Sequence, residues 1–509
     1  MNNETKPYRT VFVGELEQLT GLSTGGRDGE LHADSVVARD GLERPILRGT
    51  GLAGALLATL DEFDLRIPTE ISARLPETAA AVQKCESLWL MHHAHLVDET
   101  VQALVRPNVA IHPWTGAAVD GLYFSTEVLP RGTRWKVIIE TEDWRDRNFG
   151  TEDEAARLLA LALEQWRQGL CWLGRSPARG LGWAQLVSLD VYRLDSAAAS
   201  HWPNAGLDEQ TSLEWLGSAD VEQGVKTTDL RELTTGLEHE RRTRWKLYKG
   251  TLTLGEAGED DGQDEYGLDS LSTLARDFPA DPGQWADWRT DSTQIDGTEV
   301  TAEDIDLDAA PAWTRKPDGG VEFMIPGSAI RGTFRSVLSA HWRRAGKNVW
   351  APNGLAEEPK NAKDDPLLPV FGSIGHDSNL LVSDAYPVAG KEARMYVQEL
   401  HAENEFTQGP YGSSKFNRPC LVSGTFEFQI AIRESVSGQE GPGLHGKALQ
   451  EAEQLIEAAK ILGQARMLPF GGGIWRGHGW VQFSLAEQGS PDVRQPELEA
   501  HDNSSAEAV

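Results

Sequence analysis

Apolar and polar positions along the chain alternate with two periods, and the switches between them mark out elements. Residues 8–19 alternate, with Val11, Val13 and Leu16 on the apolar side, and predict a half-buried strand. A glycine-rich loop at 20–29 follows, then a helix over 50–60 and a stretch at 69–97 that reads as helical and then irregular. Residues 105–135 predict a long hairpin arm with a Pro-Trp-Thr-Gly turn. A strand over 135–141, a helix over 152–168, a glycine-rich loop at 173–183 and a strand over 184–193 close this half.

The second half repeats the order. A strand is predicted over 245–254, and a strand–turn–helix joint over Phe323-Met-Ile-Pro-Gly-Ser-Ala-Ile-Arg-Gly-Thr-Phe-Arg335. A loop-rich arm at 391–418, an alternating strand at 424–432 and a helix at 446–462 follow. The glycine-rich Leu468-Pro-Phe-Gly-Gly-Gly-Ile-Trp-Arg-Gly-His-Gly479 comes last. Strand, glycine loop, helix, arm, strand, helix, glycine-rich loop and strand thus occur twice, which implies internal duplication. The boundaries read as a first module at 1–195, a linker at 196–244 and a second module at 245–485. An acidic insertion occupies about 256–308 of the second module, and a disordered tail is expected at 486–509.

Within the 323–335 stretch, Ser328 is expected at the N-cap, with Arg331 and Arg335 on the first helical turns. Free backbone N–H groups, a hydroxyl and two guanidinium groups would then converge on one point, which suits a phosphate. A degenerate copy, Ile46-Leu-Arg-Gly-Thr-Gly-Leu-Ala-Gly-Ala55, has Arg48 for the proline, Thr50 for the serine and Ala53 for the first arginine. An ordinary strand–turn–helix joint is the bland alternative for each.

Composition sharpens this picture in two ways. Of 509 residues, 39% are hydrophobic and 25% charged, a globular balance for two to four domains. Three scattered cysteines exclude a disulfide framework, and the N-terminus lacks the pattern of a signal peptide. A reduced, cytoplasmic protein with no membrane association is expected. The net charge of −30 weighs against nucleic-acid binding, yet the acids concentrate at 256–308, near 208–222 and in the tail, while arginines sit beside the glycine-rich turns.

Taken together, these motifs resemble the RAMP superfamily of CRISPR-associated proteins, and more narrowly the backbone subunits of type III effector complexes. The carrying residues are Ile325-Pro-Gly-Ser-Ala-Ile-Arg-Gly332, Phe371-Gly-Ser with Ser383-Asp-Ala385, and Val109-Ala-Ile-His-Pro-Trp-Thr-Gly-Ala-Ala118 with Thr126-Glu-Val-Leu-Pro-Arg-Gly132. To these are added the endings Gly174–Gly182 and Gly471–Gly479. The resemblance implies an α+β fold of two tandem ferredoxin-like, RRM-like modules with inserted thumb hairpins, as in fused type III-D-like variants. It implies a guide RNA, a complementary target RNA and other CRISPR effector subunits as partners. RNA contacts are expected at Arg48, Thr50, Arg131, Arg175, Arg179, Ser328, Arg331, Arg335, Gly472 and Arg476, with base stacking open for Trp114 and Trp475.

The same resemblance implies metal-dependent cleavage of the target, with Mg²⁺ or Mn²⁺, at an Asp ahead of the turn. Asp34 falls on that position in the first module, and Asp308, with Asp306 and Asp304 as rivals, is the best-spaced candidate in the second. A loop Asp capping its own turn is the alternative for Asp34. His32 is a candidate for proton transfer or a local structural role, and His92-His-Ala-His95 reads as packing or surface histidines rather than a metal site. Three other functions stay open: a purely structural RNA-binding subunit, a guide-processing endoribonuclease, and an acidic scaffold or sugar-binding protein argued only from the 17 Trp.

Overall fold

The computed structural model describes residues 8–26, 28–30, 33–61, 89–111, 118–142, 154–203, 205, 209–218, 223–237, 244–254, 294–295, 298–299, 311–346, 349, 367–372, 377–391, 393–434, 444, 446–474 and 478–488. The first module runs β1 (Arg9–Gln18), β2 (Asp28–Glu30), β3 (Ala33–Ser35), β4 (Ile46–Leu47), α1 (Gly49–Asp61), β5 (Trp89–Met91) and β6 (Ala94–Leu96). It continues with β7 (Leu104–Ile111), β8 (Ala118–Val128), β9 (Arg134–Glu142), α2 (Glu154–Arg167), β10 (Cys171–Trp172) and β11 (Trp183–Leu194). β1 lies between β11 and β9, β9 also pairs β5 and β6, and every one of these pairings is antiparallel. That is the βαββαβ order of a ferredoxin-like sheet.

The alternation of β1 decides which face is covered by what. Phe12 and Leu16 point to α1 and α2, packing with Leu52, Leu56, Leu159, Leu163 and Trp166. Val11 and Val13 point to the opposite face, where Leu194, Ala198, Trp202, Leu216 and Val225 bury them. Leu194 ends β11, Ala198 lies in α3 (Ser196–His201) with Trp202 just after it, Leu216 lies in α4 (Glu209–Ser218) and Val225 in β12 (Val225–Thr228), and α5 (Leu230–Leu233) follows. The segment whose polar composition reads as a linker therefore adds a strand to β11 and covers the back of the first sheet. Its few apolar residues are spaced to reach one face, which composition alone does not register.

The second module runs β13 (Trp245–Leu254), the ribbon β14 (Gln294–Ile295) and β15 (Thr298–Glu299), and the hairpin β16 (Trp313–Arg315) and β17 (Val321–Phe323). Then come α6 (Gly327–Arg344), α7 (Leu368–Phe371), β18 (Leu380–Val382), β19 (Tyr386–Pro387), β20 (Arg394–Glu403), β21 (Pro410–Arg433), α8 (Gly446–Gln464) and β22 (Gln482–Glu487). The order β22–β13–β21–β18 repeats that of the first module. Ile330, Phe334, Leu338 and Trp342 recur every four residues along α6 and meet Phe426, Phe428, Ile430 and Phe483 of the sheet.

Three local readings change. The second arm is not loop-rich but a long hairpin, paired from Arg394↔Ser423 to Glu403↔Pro410. Residues 89–91 and 94–96, expected to be irregular, are short strands that repeat β18 and β19. Finally, α6 starts at Gly327 behind Pro326, so Ser328 lies inside the helix and makes no side-chain cap. The acidic stretch ahead of this joint, with Asp304, Asp306 and Asp308, and the tail from 489 lie outside the described residues.

Candidate nucleic-acid interface

Asp34 is exposed at the middle of β3, whose neighbour Ser35 lies opposite Thr126 at the base of the first arm. Its Oδ2 accepts from the Ser125 N–H at 2.7 Å and from the Ser125 hydroxyl at 3.0 Å, and its own N–H donates to Ser125 Oγ at 3.2 Å. These bonds to Ser125, the backbone one first, hold the Asp34 carboxyl below its ordinary pKa. Oδ1 accepts no hydrogen bond among the described residues. The carboxylate thus caps no turn of its own; it is stapled to the arm by one oxygen and presents the other. Arg175 of the glycine-rich ending donates to Ser35 Oγ at 2.8 Å, which brings the expected phosphate contact beside the expected catalytic carboxylate. Arg39 and Val37 N–H both bind Glu127, fixing the strand after Asp34 to the same arm.

The anion site expected at the α6 start is rearranged. The Gly327 N–H is not free, because Asp384 Oδ1 accepts it at 2.8 Å. What remains is a group of guanidiniums one turn on. Arg331 Nη2 donates to the Phe371 carbonyl and, at 3.4 Å, to Ser378 Oγ, while its Nε is buried with no hydrogen-bond partner. Burial, then the charge of Arg335, then that of Arg179, pulls the Arg331 pKa down to about 10. Among the described residues no carboxylate pairs with Arg331. A cation held by two neutral acceptors and facing two more cations is stabilised by a phosphate arriving from outside. Arg179 belongs to the first module, in the 3₁₀ turn Pro177–Arg179, so both modules build this cluster.

The modules meet along one joint. Arg106 of β7 gives Nη1 and Nη2 to the two oxygens of Asp384 at 2.7 and 3.0 Å, and Tyr386 Oη accepts the Gly21 N–H at 3.1 Å. Gly180, at φ 109°, lies so close that a methyl there would stand 2.1 Å from Asp384 Oδ1 and 3.0 Å from Gly327 N. Trp172 packs on Trp245 with centroids 4.5 Å apart, and Leu381 is buried with Leu170 and Trp183 in the same seam.

The remaining expected contacts divide. Arg131 is held within the protein: Glu322 accepts from its Nη2 at 2.6 Å and from its Nε, and the Arg131 guanidinium lies 4.4 Å from the centre of the Tyr386 ring. Arg131 belongs to the joint. Arg48 and Thr50 are exposed at the α1 start, and Gly472 is half-buried in the second glycine-rich loop. His32, Trp114, Trp475 and Arg476 lie outside the described residues. The histidine run packs: His92 Nε2 meets Glu140 at 2.7 Å, and His93 Nδ1 accepts the Gly49 N–H at 3.0 Å. No group of three or more His, Cys, Asp or Glu that could hold a metal occurs among the described residues. No helix there is long and apolar enough to cross a membrane.

Sequence reasoning missed Asp384, Arg106 and Glu322 as joint residues. The one available signal was the place of Asp384 in a motif beside the turn.

Residues 310–482 match the family model described as the RAMP superfamily. A crystal structure of the Csm3–Csm4 subcomplex in the type III-A CRISPR-Cas interference complex is matched over 46% of this chain and 97% of that chain. The identity is 16% and the TM-score 0.26. No curated protein matches. The residues that match the RAMP superfamily model lie within the second module. The first module repeats the strand order of the second.

Proposed function

We propose that the chain is a guide-RNA-binding backbone subunit of a type III CRISPR ribonucleoprotein, and that it cleaves the paired target RNA at Asp34. The observation that supports this reading most is the half-free Asp34 carboxylate at the base of the first arm. The Arg179–Arg331–Arg335 cluster supplies a backbone-phosphate contact that needs no base reading, which suits a protein whose specificity is set by a guide. Fixed donors and glycine-rich loops orient the RNA; the arm separates Asp34 from the sheet core and brings it toward the strand to be cut.

The donor set fits Mg²⁺ or Mn²⁺ in a limited way. Asp34 Oδ1 would be the protein ligand, with water and RNA phosphate oxygens completing the shell, as a hard ion with few protein ligands prefers. Such an ion supplies charge neutralisation at the scissile phosphate. Ser125 holds the carboxylate in position and keeps it ionised. Asp308, or Asp306 in its place, is proposed as a second such position and metal ligand.

The same geometry supports a second reading, a non-catalytic RNA-binding subunit, because three hydrogen bonds to Ser125 also serve as a staple between β3 and β8. RNA binding is common to both and is tested first. The protein purified from its native host is expected to carry RNA of uniform length. The double variant Arg331→Glu, Arg335→Glu is expected to lose it. Protein free of RNA would contradict both readings.

A further inference from the structure

The duplication places a second, open copy of the inter-module joint on the first module. By register, Leu47↔Ala94 in the first module corresponds to the Ile325↔Ala385 bridge in the second, and Met91↔Ile139 to Val382↔Ile430. Gly49 therefore stands for Gly327, His93 for Asp384 and Leu90 for Leu381. The local packing agrees. A methyl on Gly49 would stand 2.3 Å from the Met91 carbonyl, and one on Gly327 would stand 2.6 Å from that of Val382. The helix-start N–H is capped in the same way, by His93 Nδ1 at 3.0 Å and by Asp384 Oδ1 at 2.8 Å.

The two copies differ in what covers them. Leu381 is 6% exposed under Leu170 and Trp183, whereas Leu90 is 53% exposed. Asp384 receives Arg106, whereas His93 is exposed, and Arg48 beside it has no charged partner among the described residues. Because His93 Nδ1 accepts, its Nε2 carries the proton and points a donor outward. The charge preference of the joint is thus inverted. Where the internal copy takes a guanidinium, the open copy offers an imidazole N–H and a guanidinium of its own.

We propose that the face formed by Arg48, Gly49, Leu90 and His93 docks a separate polypeptide. That partner lays a glycine-bearing loop on Gly49, covers Leu90 with apolar side chains and sets a carboxylate against His93 Nε2–H and Arg48. The proposal rests on the reading of the chain as one subunit of a larger assembly, and adds the place and chemistry of one contact.

The test places a benzophenone amino acid at Leu90 in the full chain within the purified assembly, and identifies the photo-crosslinked peptide by mass spectrometry. The expected peptide comes from a different polypeptide and contains glycine and Asp or Glu. His93→Asp keeps the cap, as Asp384 shows, and reverses the polarity. It is expected to cut the crosslink at least tenfold while the melting temperature and the co-purifying RNA stay unchanged. A crosslink to a second copy of this chain, to RNA, or to nothing would overturn the proposal, as would an unchanged yield in His93→Asp. RNA content is read separately, so loss of RNA with the crosslink intact would count against the functional reading alone.

Discussion

Arg106 and Asp384, 278 residues apart, form a two-pronged ion pair in which both carboxylate oxygens are engaged at 2.7 and 3.0 Å. The Arg106 side chain is 14% exposed and that of Asp384 is fully buried. Burial works against the Arg106 charge, and Asp384 outweighs it, raising the guanidinium pKa above its ordinary value. Since Asp384 also caps the Gly327 N–H, the base of the first arm governs the helix start that carries Arg331 and Arg335.

Arg106→Ala leaves Asp384 buried with its main cation gone. Loss of one partner from a buried pair costs about 3–5 kcal/mol. A thermal melt is expected to show a lowered or split transition, and RNA affinity is expected to fall although Arg106 touches no RNA in this account.

Gly180→Ala meets two penalties at once: a φ of 109° and a methyl 2.1 Å from Asp384 Oδ1. Its expected melting temperature is well below wild type. Gly319→Ala, also at positive φ but with open space around it, is expected to show only the milder backbone penalty.

The charge of Arg335 works against that of Arg331. Each contributes one phosphate contact in this account, so neutralising either with Gln is expected to lower the slope of log affinity against log salt by about 0.7. An RNA-binding titration over a range of salt concentrations checks this. Arg335→Gln is also expected to leave the RNA-free protein no less stable, because it removes a charge facing Arg331.

Asp34 has a depressed pKa, so its contribution to stability is present above the ordinary carboxylate value and is lost as pH falls through the lower folded value. Cleavage is accordingly expected to show no acid limb from Asp34 between about pH 5 and pH 8. Ser125→Ala removes the hydroxyl bond but keeps the backbone one, so it is expected to raise the Asp34 pKa while retaining part of the activity. NMR titration of the Asp34 carboxyl carbon reads the shift directly.

Much of the fold was legible because its elements obey a single period. The alternation of 8–19 and 245–254 and the four-residue recurrence of Ile330, Phe334, Leu338 and Trp342 are local properties. The duplication was legible for the same reason. The second arm was not, because the residues on either side of its turn, 394–403 and 410–420, keep no strict apolar–polar alternation. Nor was the covering role of α3, α4 and β12, whose apolar residues are few and meaningful only against the back of β1. At the candidate site the motif points to Asp34, but its hydrogen-bond partner Ser125 is 91 residues away. Nothing near Arg131 in sequence announces its partner Glu322, 191 residues on. Ser328 read as a cap because hydroxyls usually fill that place; here a carboxylate from a neighbouring strand does.

The most direct test is cleavage of a guide-complementary RNA by the assembled complex, with Mg²⁺ and with EDTA, comparing wild type, Asp34→Asn, Asp308→Ala and the double variant on a sequencing gel. Asp34→Asn is expected to abolish one product of defined length while guide binding is retained, and EDTA is expected to abolish cleavage altogether. Asp308→Ala is expected to remove a second product at fixed spacing. An unchanged product ladder in the double variant would contradict catalysis by this chain and leave it as the scaffold on which another subunit cuts.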